Sequence, residues 1–149
     1  MENLVEPGLV YTITQLGKIF TACQDGVIPF VSADDIASVA FHALTDAKSH
    51  DTDIRILGPE NLTYDDIAAK LSKTLGRTIE HVKQDEEGRY QELVQAGVSE
   101  YYARFITNLE VKAAGGLEEG SNDAVLKVTG RPPKSFDVFV EENKAVWPL

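Results

Sequence analysis

The spacing of the glycines decides whether this chain can bind the pyrophosphate of a dinucleotide. Closely spaced glycines between a strand and a helix let the backbone approach a pyrophosphate and leave it at the helix N-terminus. The chain has 11 glycines, and its nearest approach to this pattern is GGLEEG at residues 115–120. Two glutamates stand where phosphate would arrive, and no apolar strand precedes them. The sequence therefore predicts no phosphate-binding loop.

Residues suited to acid–base, metal or thiol chemistry are scattered along the chain. No tyrosine has a lysine four positions further on, so there is no Tyr-x-x-x-Lys pair for proton transfer. His42, His50 and His81 lack the spacing of metal ligands, and no metal is predicted. Cys23 is the single cysteine, which excludes an intrachain disulfide and favours a small, buried, unreactive thiol.

Charge and hydropathy narrow the classes of partner. The chain has 149 residues, with 14 Lys and Arg against 24 Asp and Glu and a net charge of −10. Such a balance opposes contact with nucleic acid or an anionic membrane, because both are bound largely through cationic side chains. No apolar run is long enough for a membrane span, and the first residues lack the basic and apolar regions of a secretory signal. We therefore expect a cytoplasmic protein.

Two strand-then-helix units are predicted in the first half of the chain. An apolar strand at 27–31 leads to helix-capping and acidic residues at 32–35, and this pattern accounts for Asp34 and Asp35 without a catalytic role. A second strand at 53–57 leads to a helix capped by Thr63. A third strand is expected at about 78–83.

Helices dominate the second half of the predicted structure. One helix spans about 88–96, another restarts at Ser99 and runs to about residue 113, and a last one runs from 136 to about 146 behind the cap Ser135. Residues 115–123 read as a surface loop. The pattern indicates one region, 1–149, with a mixed α/β layer and a helical lobe.

Three segments resemble the C-terminal half of the NmrA-like, atypical short-chain dehydrogenase/reductase family. They are VIPFVSADDIASVAFHAL, DIRILGPENLTYDDIAAKLSKTLGR and VTGRPPKSFDVFVEENKAVW. Together with MENLVEPG and GRYQELVQAGVSEYYARFITNLE, they are most similar to the fungal ergot-alkaloid reductases, the agroclavine dehydrogenase and festuclavine synthase group. The likeness covers essentially the whole chain.

The resemblance implies the C-terminal portion of a Rossmann-like NAD(P)-binding fold with a helical substrate lobe and without the N-terminal dinucleotide-binding part. It further implies NADPH as cofactor and, as substrate, a clavine alkaloid precursor, the iminium derived from chanoclavine-I aldehyde. Reduction would give agroclavine or festuclavine. Without a pyrophosphate site, this chain alone is expected to be weak or inactive.

Position relative to that family suggests which residues face the nicotinamide and the substrate. They are Asn3, Tyr11, Phe30 and Ser32, since ligands of open α/β sheets gather at the carboxyl ends of strands. Packing and capping are equally good explanations of all four. An aromatic stripe at 101–105 would suit an indole-bearing substrate, or belong to the core.

Two other functions stay open. The chain could be a non-catalytic NmrA-like module that binds a small molecule or a protein. It could also be a packing half that is complete only as a homo-oligomer or with an N-terminal partner chain, because an exposed sheet edge or apolar face would drive association.

Overall fold

Four short strands pair into two small sheets in this computed structural model, which describes residues 1–117 and 119–148. In chain order they are β1 (Lys18–Thr21), β2 (Ile28–Pro29), β3 (Asn61–Leu62) and β4 (Glu80–Lys83). β1 and β4 run parallel, with Thr21 opposite Lys83, whereas β2 and β3 run antiparallel. The carboxyl ends of the parallel pair therefore lie at one edge.

Helices make up most of the described chain, so the predicted α/β class is confirmed in a helix-rich form. They are α1 (Pro7–Tyr11), α2 (Ala33–Thr45), α3 (Tyr64–Leu75), α4 (Glu86–Gln95), α5 (Glu100–Ala114), α6 (Ala124–Thr129) and α7 (Phe136–Asn143). A π-helical turn, Thr12–Leu16, continues α1, and 3-10 turns cover Glu2–Val5 and Lys144–Val146.

The predicted helix starts are confirmed by their caps. The side chains of Ser32, Thr63, Ser99 and Ser135 each accept a backbone N–H three residues further on. Thr63 also forms a reciprocal capping box, in which the carboxylate of Asp66 accepts the Thr63 N–H. These caps fix where α2, α3, α5 and α7 begin.

Two predicted strands are wrong in kind or extent, whereas the helix predicted from 136 to about 146 is confirmed. Residues 53–57 form no strand: the Arg55 carbonyl accepts from the side chain of Asn122 rather than from a neighbouring strand. The strand expected at 27–31 shrinks to β2, because β3 offers only two residues to pair with. The last α-helix ends at Asn143, and a 3-10 turn covers the three residues that follow.

The main core joins the two ends of the described chain. It contains Leu4, Ile13, Ile19, Leu62, Ile67, Ala68, Leu71, Leu75, Ile79, Phe136, Phe139, Val140 and Trp147. The Trp147 indole N–H donates to the carbonyl of Leu4 at 3.2 Å, which satisfies a buried donor. The first turn, α3 and α7 therefore form a single packed layer beside β1.

Between α5 and α6, residues 115–117 and 119–123 form neither helix nor strand. Glu118, within the loop predicted at 115–123, lies outside the described residues. No helix in the two described ranges is long and apolar enough to cross a membrane.

Gly58 provides a test of the fold at the β2–β3 layer. A Cβ atom there would lie 1.7 Å from the carbonyl oxygen of Phe30, whereas one on Gly8 would meet nothing within 4 Å. We expect Gly58→Ala to lower the free energy of unfolding by about 2–4 kcal/mol through this backbone clash. Gly8→Ala, the control, should change it by no more than about 1 kcal/mol, in the stabilising direction. Urea denaturation measures both, and equal effects would contradict the packing.

Candidate functional site

The carboxyl edge of β1 and β4 gathers polar, thiol and aromatic side chains from four parts of the chain. This is the edge where ligands of α/β sheets collect. We name the following set the strand-end cluster: Thr21, Cys23, Tyr64, His81, Arg89 and Glu110.

A hydrogen-bonded relay runs through the cluster. The Nδ1 atom of His81 lies 3.0 Å from a carboxylate oxygen of Asp65, and its Nε2 atom lies 2.8 Å from the Thr21 hydroxyl. A carboxylate can only accept, so Nδ1 carries a proton, and in the neutral imidazole Nε2 accepts from the Thr21 hydroxyl. The Thr21 oxygen accepts in turn from the N–H of Cys23 at 3.1 Å. Every polar atom in this series has a partner.

Neighbouring side chains keep the carboxylate of Asp65 ionised. A hydrogen bond from Lys83 lowers the pKa of Asp65 most, and the hydrogen bond with His81 lowers it further. Asp65 therefore remains an acceptor for His81 well below neutral pH, and the orientation of the imidazole is fixed from the surface side.

Arg89 and Glu110 form a buried ion pair that joins α4 to α5. The guanidinium Nε and Nη2 atoms each lie 3.0 Å from a Glu110 oxygen, and the two side chains are 10% and 13% exposed. Burial lowers the pKa of Arg89, but hydrogen bonds and charge from Glu110 and Glu92 outweigh it and the pKa is raised. Glu110 also accepts the N–H of Ala22 at 2.8 Å, so it fixes the chain where β1 ends.

Cys23 is a protonated thiol in this setting. Burial, followed by the negative charge of Glu110, raises its pKa to about 11. A thiol with such a pKa is a poor nucleophile near neutrality. The structure thus gives Cys23 a packing role.

Aromatic rings form a wall beside the relay. Phe30 meets Tyr64 edge-on, with ring centroids 5.5 Å apart, and Phe136 at 6.1 Å. Tyr64 in turn lies 5.5 Å from the His81 ring. Burial raises the pKa of Tyr64, so its hydroxyl stays protonated. The wall therefore offers an uncharged, apolar surface next to the strand ends.

The four predicted site residues fall into two places. Phe30 belongs to the aromatic wall, and Ser32 is buried two residues on, where its hydroxyl donates to the carboxylate of Asp35 at 2.9 Å. Asn3 lies exposed in the first turn, which contacts this segment because the Glu2 carboxylate accepts the N–H of Ala33. Hydrogen bonds from Met1 and to Glu2 thus join the first turn to the segment that carries Phe30 and Ser32, and the functional role of the three residues stays a prediction.

Tyr11 is the last residue of α1. It is exposed and lines a shallow depression with Pro7, Val10, Thr14, Gln15, Val146 and Pro148. No hydrogen bond or ring contact joins it to Asn3, Phe30 or Ser32 within the described part of the chain. Its assignment to the nicotinamide side therefore rests on family position alone.

The aromatic stripe of α5 is exposed. Tyr101, Tyr102 and Phe105 all point to solvent, and the Tyr102 and Phe105 rings stack with centroids 6.0 Å apart and an angle of 16°. The alternative that these residues belong to the core is wrong for this chain. A flat stacked pair can receive a planar aromatic ligand.

The described residues do not fit the phosphates of a dinucleotide. Phosphate is bound at helix N-termini where backbone N–H groups are free of competing anions. Each described helix of eight residues or more begins instead with its own acidic side chains. These are Asp34 and Asp35 in α2, Asp65 and Asp66 in α3, Glu86 and Glu87 in α4, Glu100 in α5 and Asp137 in α7.

Glycines offer no alternative cradle. Backbone of this chain already fills the space beside the two most tightly packed glycines. A Cβ atom on Gly58 would lie 1.7 Å from a carbonyl oxygen of this chain, and one on Gly26 would lie 2.4 Å from another. Within residues 1–117 and 119–148, no group of three His, Cys, Asp or Glu is arranged to hold a metal ion.

Sequence spacing did not reveal the relay or the ion pair. Thr21 and His81 are 60 residues apart, and Ala22 and Glu110 are 88 apart. The pairing of β1 with β4 and the packing of α3 against β4 and of α4 against α5 bring these residues together.

Solved structures share this fold. The chain superposes on triphenylmethane reductase of Citrobacter sp., complexed with NADP(H), with a TM-score of 0.85 and 23% identity, covering 95% of this chain and 49% of that one. The chain also superposes on an NADPH-dependent quinone oxidoreductase from Escherichia coli with a TM-score of 0.86 and 20% identity, covering 95% of this chain and 50% of that one. The fold is that of the C-terminal half of an NAD(P)-binding reductase.

Sequence relatives are more specific. No family model matches the chain. It is 45% identical over 148 residues to festuclavine synthase II of Penicillium roqueforti, covering 99% of this chain and 52% of that protein. It is 41% identical over 136 residues to agroclavine dehydrogenase of Claviceps fusiformis, covering 91% of this chain and 47% of that protein. The chain spans about half the length of the curated relatives it matches, and is a homologue of that half of the festuclavine synthases and agroclavine dehydrogenases.

The buried ion pair predicts a large stability effect. Glu110→Ala should lower the free energy of unfolding by about 3–5 kcal/mol, because it leaves the buried Arg89 charge uncompensated. Glu141 pairs with Lys144 on the surface, and Glu141→Ala should cost less than about 1 kcal/mol. Chemical denaturation of both variants is the measurement. A Glu110 effect as small as that of Glu141 would show that the pair does not hold α4 and α5 together.

The raised pKa of Cys23 predicts slow thiol chemistry. At mildly alkaline pH, we expect Ellman's reagent to label the folded chain at least about 100-fold more slowly than the urea-unfolded chain. In the unfolded chain the pKa of the thiol has its ordinary value of 9.0, whereas in the folded chain burial raises the pKa to about 11. Folding stability should therefore fall as pH rises through this range, and the Cys23→Ser variant should lose this contribution. Equal labelling rates would contradict the buried thiol.

Proposed function

We propose that the chain is the substrate-side half of an NADPH-dependent ergot-alkaloid reductase. The proposed reaction reduces an iminium derived from chanoclavine-I aldehyde and gives agroclavine or festuclavine. The observation that carries the proposal is the 45% identity, over 99% of this chain, to a protein named festuclavine synthase. Two further relatives, an agroclavine dehydrogenase and a festuclavine dehydrogenase, carry the same two alkaloids in their names.

Charge supports a cationic substrate. The chain has a net charge of −10, which attracts a positively charged iminium and raises its local concentration. Hydride reduction of an iminium carbon yields a neutral amine and consumes no proton. The proposed reaction therefore needs no general acid, in keeping with the missing Tyr-x-x-x-Lys pair and the protonated, buried Tyr64.

In this proposal the strand-end cluster positions the substrate without reacting with it. Asn3, Phe30 and Ser32 lie closest to the nicotinamide and substrate, next to the apolar wall of Phe30 and Tyr64. Tyr102 and Phe105 would stack on the indole. Tyr11 is retained as a nicotinamide-side candidate from family position.

The isolated chain is proposed to be weak or inactive. Its helix N-termini are already occupied by carboxylates, so the phosphates of NADPH have no favourable contact among the described residues. A cytoplasmic location and a homo-oligomeric state or N-terminal partner chain stay predictions. Saturable binding of NADPH by the isolated chain without turnover would favour the alternative, a non-catalytic small-molecule-binding module.

The proposal is tested with a fusion that we call the reconstituted reductase. It joins the half of Penicillium roqueforti festuclavine synthase II that this chain does not match to the N-terminus of this chain. With chanoclavine-I aldehyde and NADPH deuterated at nicotinamide C4, we expect a clavine product heavier by one deuterium in mass spectrometry. The isolated chain should give none and should not enhance NADPH fluorescence.

Tyr102→Ala and Phe105→Ala are informative variants of the reconstituted reductase, because both side chains are exposed and their loss should spare the fold. We expect each substitution to raise KM for the aldehyde about 5-fold, as stacking contributes about 1 kcal/mol per ring. Val138→Ala, at an exposed apolar position on α7 to which no binding role is assigned, serves as the comparison. A folded, NADPH-binding fusion that makes no deuterated alkaloid would refute the proposed substrate.

A further inference from the structure

A shallow depression lies at the amino ends of the parallel strands, the opposite end from the strand-end cluster. It has a volume of about 420 Å³ and is lined by Ser72, Lys73, Gly76, Arg77 and Thr78. These residues lie where α3 ends and just before β4 begins. The start of β1 is close by, since a Cβ atom on Gly17 would lie 3.1 Å from the carbonyl oxygen of Thr78. We call this feature the α3-end depression.

The guanidinium of Arg77 is held in place by backbone carbonyls. Its Nη1 atom donates to the carbonyl of Thr14 at 2.8 Å, and its Nη2 atom donates to the carbonyl of Ile13 at 3.2 Å. A guanidinium has five N–H donors in a planar fork. The buried Nε atom has no hydrogen-bond partner among residues 1–117 and 119–148, and an unpaired buried donor is costly. Arg77 is therefore a fixed cation with donors to spare.

Cations of this chain usually pair with carboxylates, which outnumber them by 24 to 14. Ion pairs are formed by Lys70, Lys83, Arg89, Arg104, Lys127, Lys134 and Lys144. In the described part of the chain, neither Lys73 nor Arg77 has a carboxylate partner. Attraction to the end of the α3 dipole accounts for a lysine in the last turn. It does not account for a second unpaired cation in the same depression.

We propose that the α3-end depression binds a small dicarboxylate. The free edge of the Arg77 guanidinium matches one planar carboxylate, and the Lys73 ammonium supplies a point charge for the other. The exposed hydroxyl of Thr78 is a further donor. Ser72 contributes only to the wall, because its hydroxyl donates to the carbonyl of Ala68 and accepts the N–H of Ile79.

A phosphate group fits the α3-end depression less well. Proteins cradle phosphate with backbone N–H groups at helix N-termini or in turns. α3 ends here, so its last turn presents carbonyl groups instead. Side-chain cations suffice for carboxylates. Because the site lies away from the strand-end cluster, the inference does not depend on the proposed function.

The test is a titration of the isotopically labelled chain with succinate at constant ionic strength, followed by nitrogen–proton correlation spectra. We expect saturable shifts of the Arg77 Nε–H signal and of the Thr78 amide. Acetate, with a single carboxylate, should bind about 10-fold more weakly, because it cannot engage both cations at once.

Lys73→Gln should weaken succinate binding about 3-fold or more, because it removes one exposed ion pair. The matched control is Lys112→Gln, which removes an exposed lysine from the last turn of α5 and should leave the affinity unchanged. Arg77→Lys keeps the charge but loses the planar fork, and should weaken binding about 10-fold or more. For that variant the Thr78 amide is followed, and circular dichroism checks the fold.

Shifts that rise linearly with succinate, or that sodium chloride reproduces, would reduce the effect to charge screening and overturn the inference. Inorganic phosphate that binds as tightly as succinate would overturn the assignment to a dicarboxylate. An unchanged affinity in Lys73→Gln would contradict the two-cation site. If Arg77→Lys does not fold, the comparison of Lys73→Gln with Lys112→Gln decides alone, since both side chains are exposed.

Discussion

The structure depends most on one carboxylate, that of Glu110. It accepts the N–H of Ala22, where β1 ends, and forms two short hydrogen bonds with the buried guanidinium of Arg89. One residue of α5 thereby fixes α4, α5 and the carboxyl end of the parallel sheet relative to one another. The same negative charge contributes to the raised pKa of Cys23, so it also keeps the nearby thiol protonated.

Local features of the fold were predictable, because they depend on residues a few positions apart. Ser32, Thr63, Ser99 and Ser135 cap helices through contacts three residues long, and the sequence shows each of them directly. The strand expected at 53–57 failed for the opposite reason. Alternating apolar residues make a strand only if a neighbour supplies its ladder, and the carbonyl of Arg55 is instead bound by the side chain of Asn122.

The candidate site was predictable only in part. Family resemblance pointed to Asn3, Tyr11, Phe30 and Ser32, and hydrogen bonds join the first turn to the segment that carries Phe30 and Ser32. The relay from Asp65 through His81 to Thr21 spans 16 and then 60 residues of sequence. Such contacts follow from the parallel pairing of β1 with β4 and from the packing of α3 against β4, and no periodicity or motif in a single sequence encodes either.

The match to about half the length of the relatives describes the chain as one half of a reductase fold. Within the described residues, the N-termini of the longer helices carry carboxylates where a dinucleotide would need free N–H groups. The most direct measurement is a titration of the isotopically labelled chain with NADPH, followed by amide nitrogen–proton correlation spectra. The account predicts no saturable shift at the first-turn amides of α2, α3, α4, α5 and α7. Saturable shifts at any of these N-termini would show that the chain itself holds the phosphates and would contradict it.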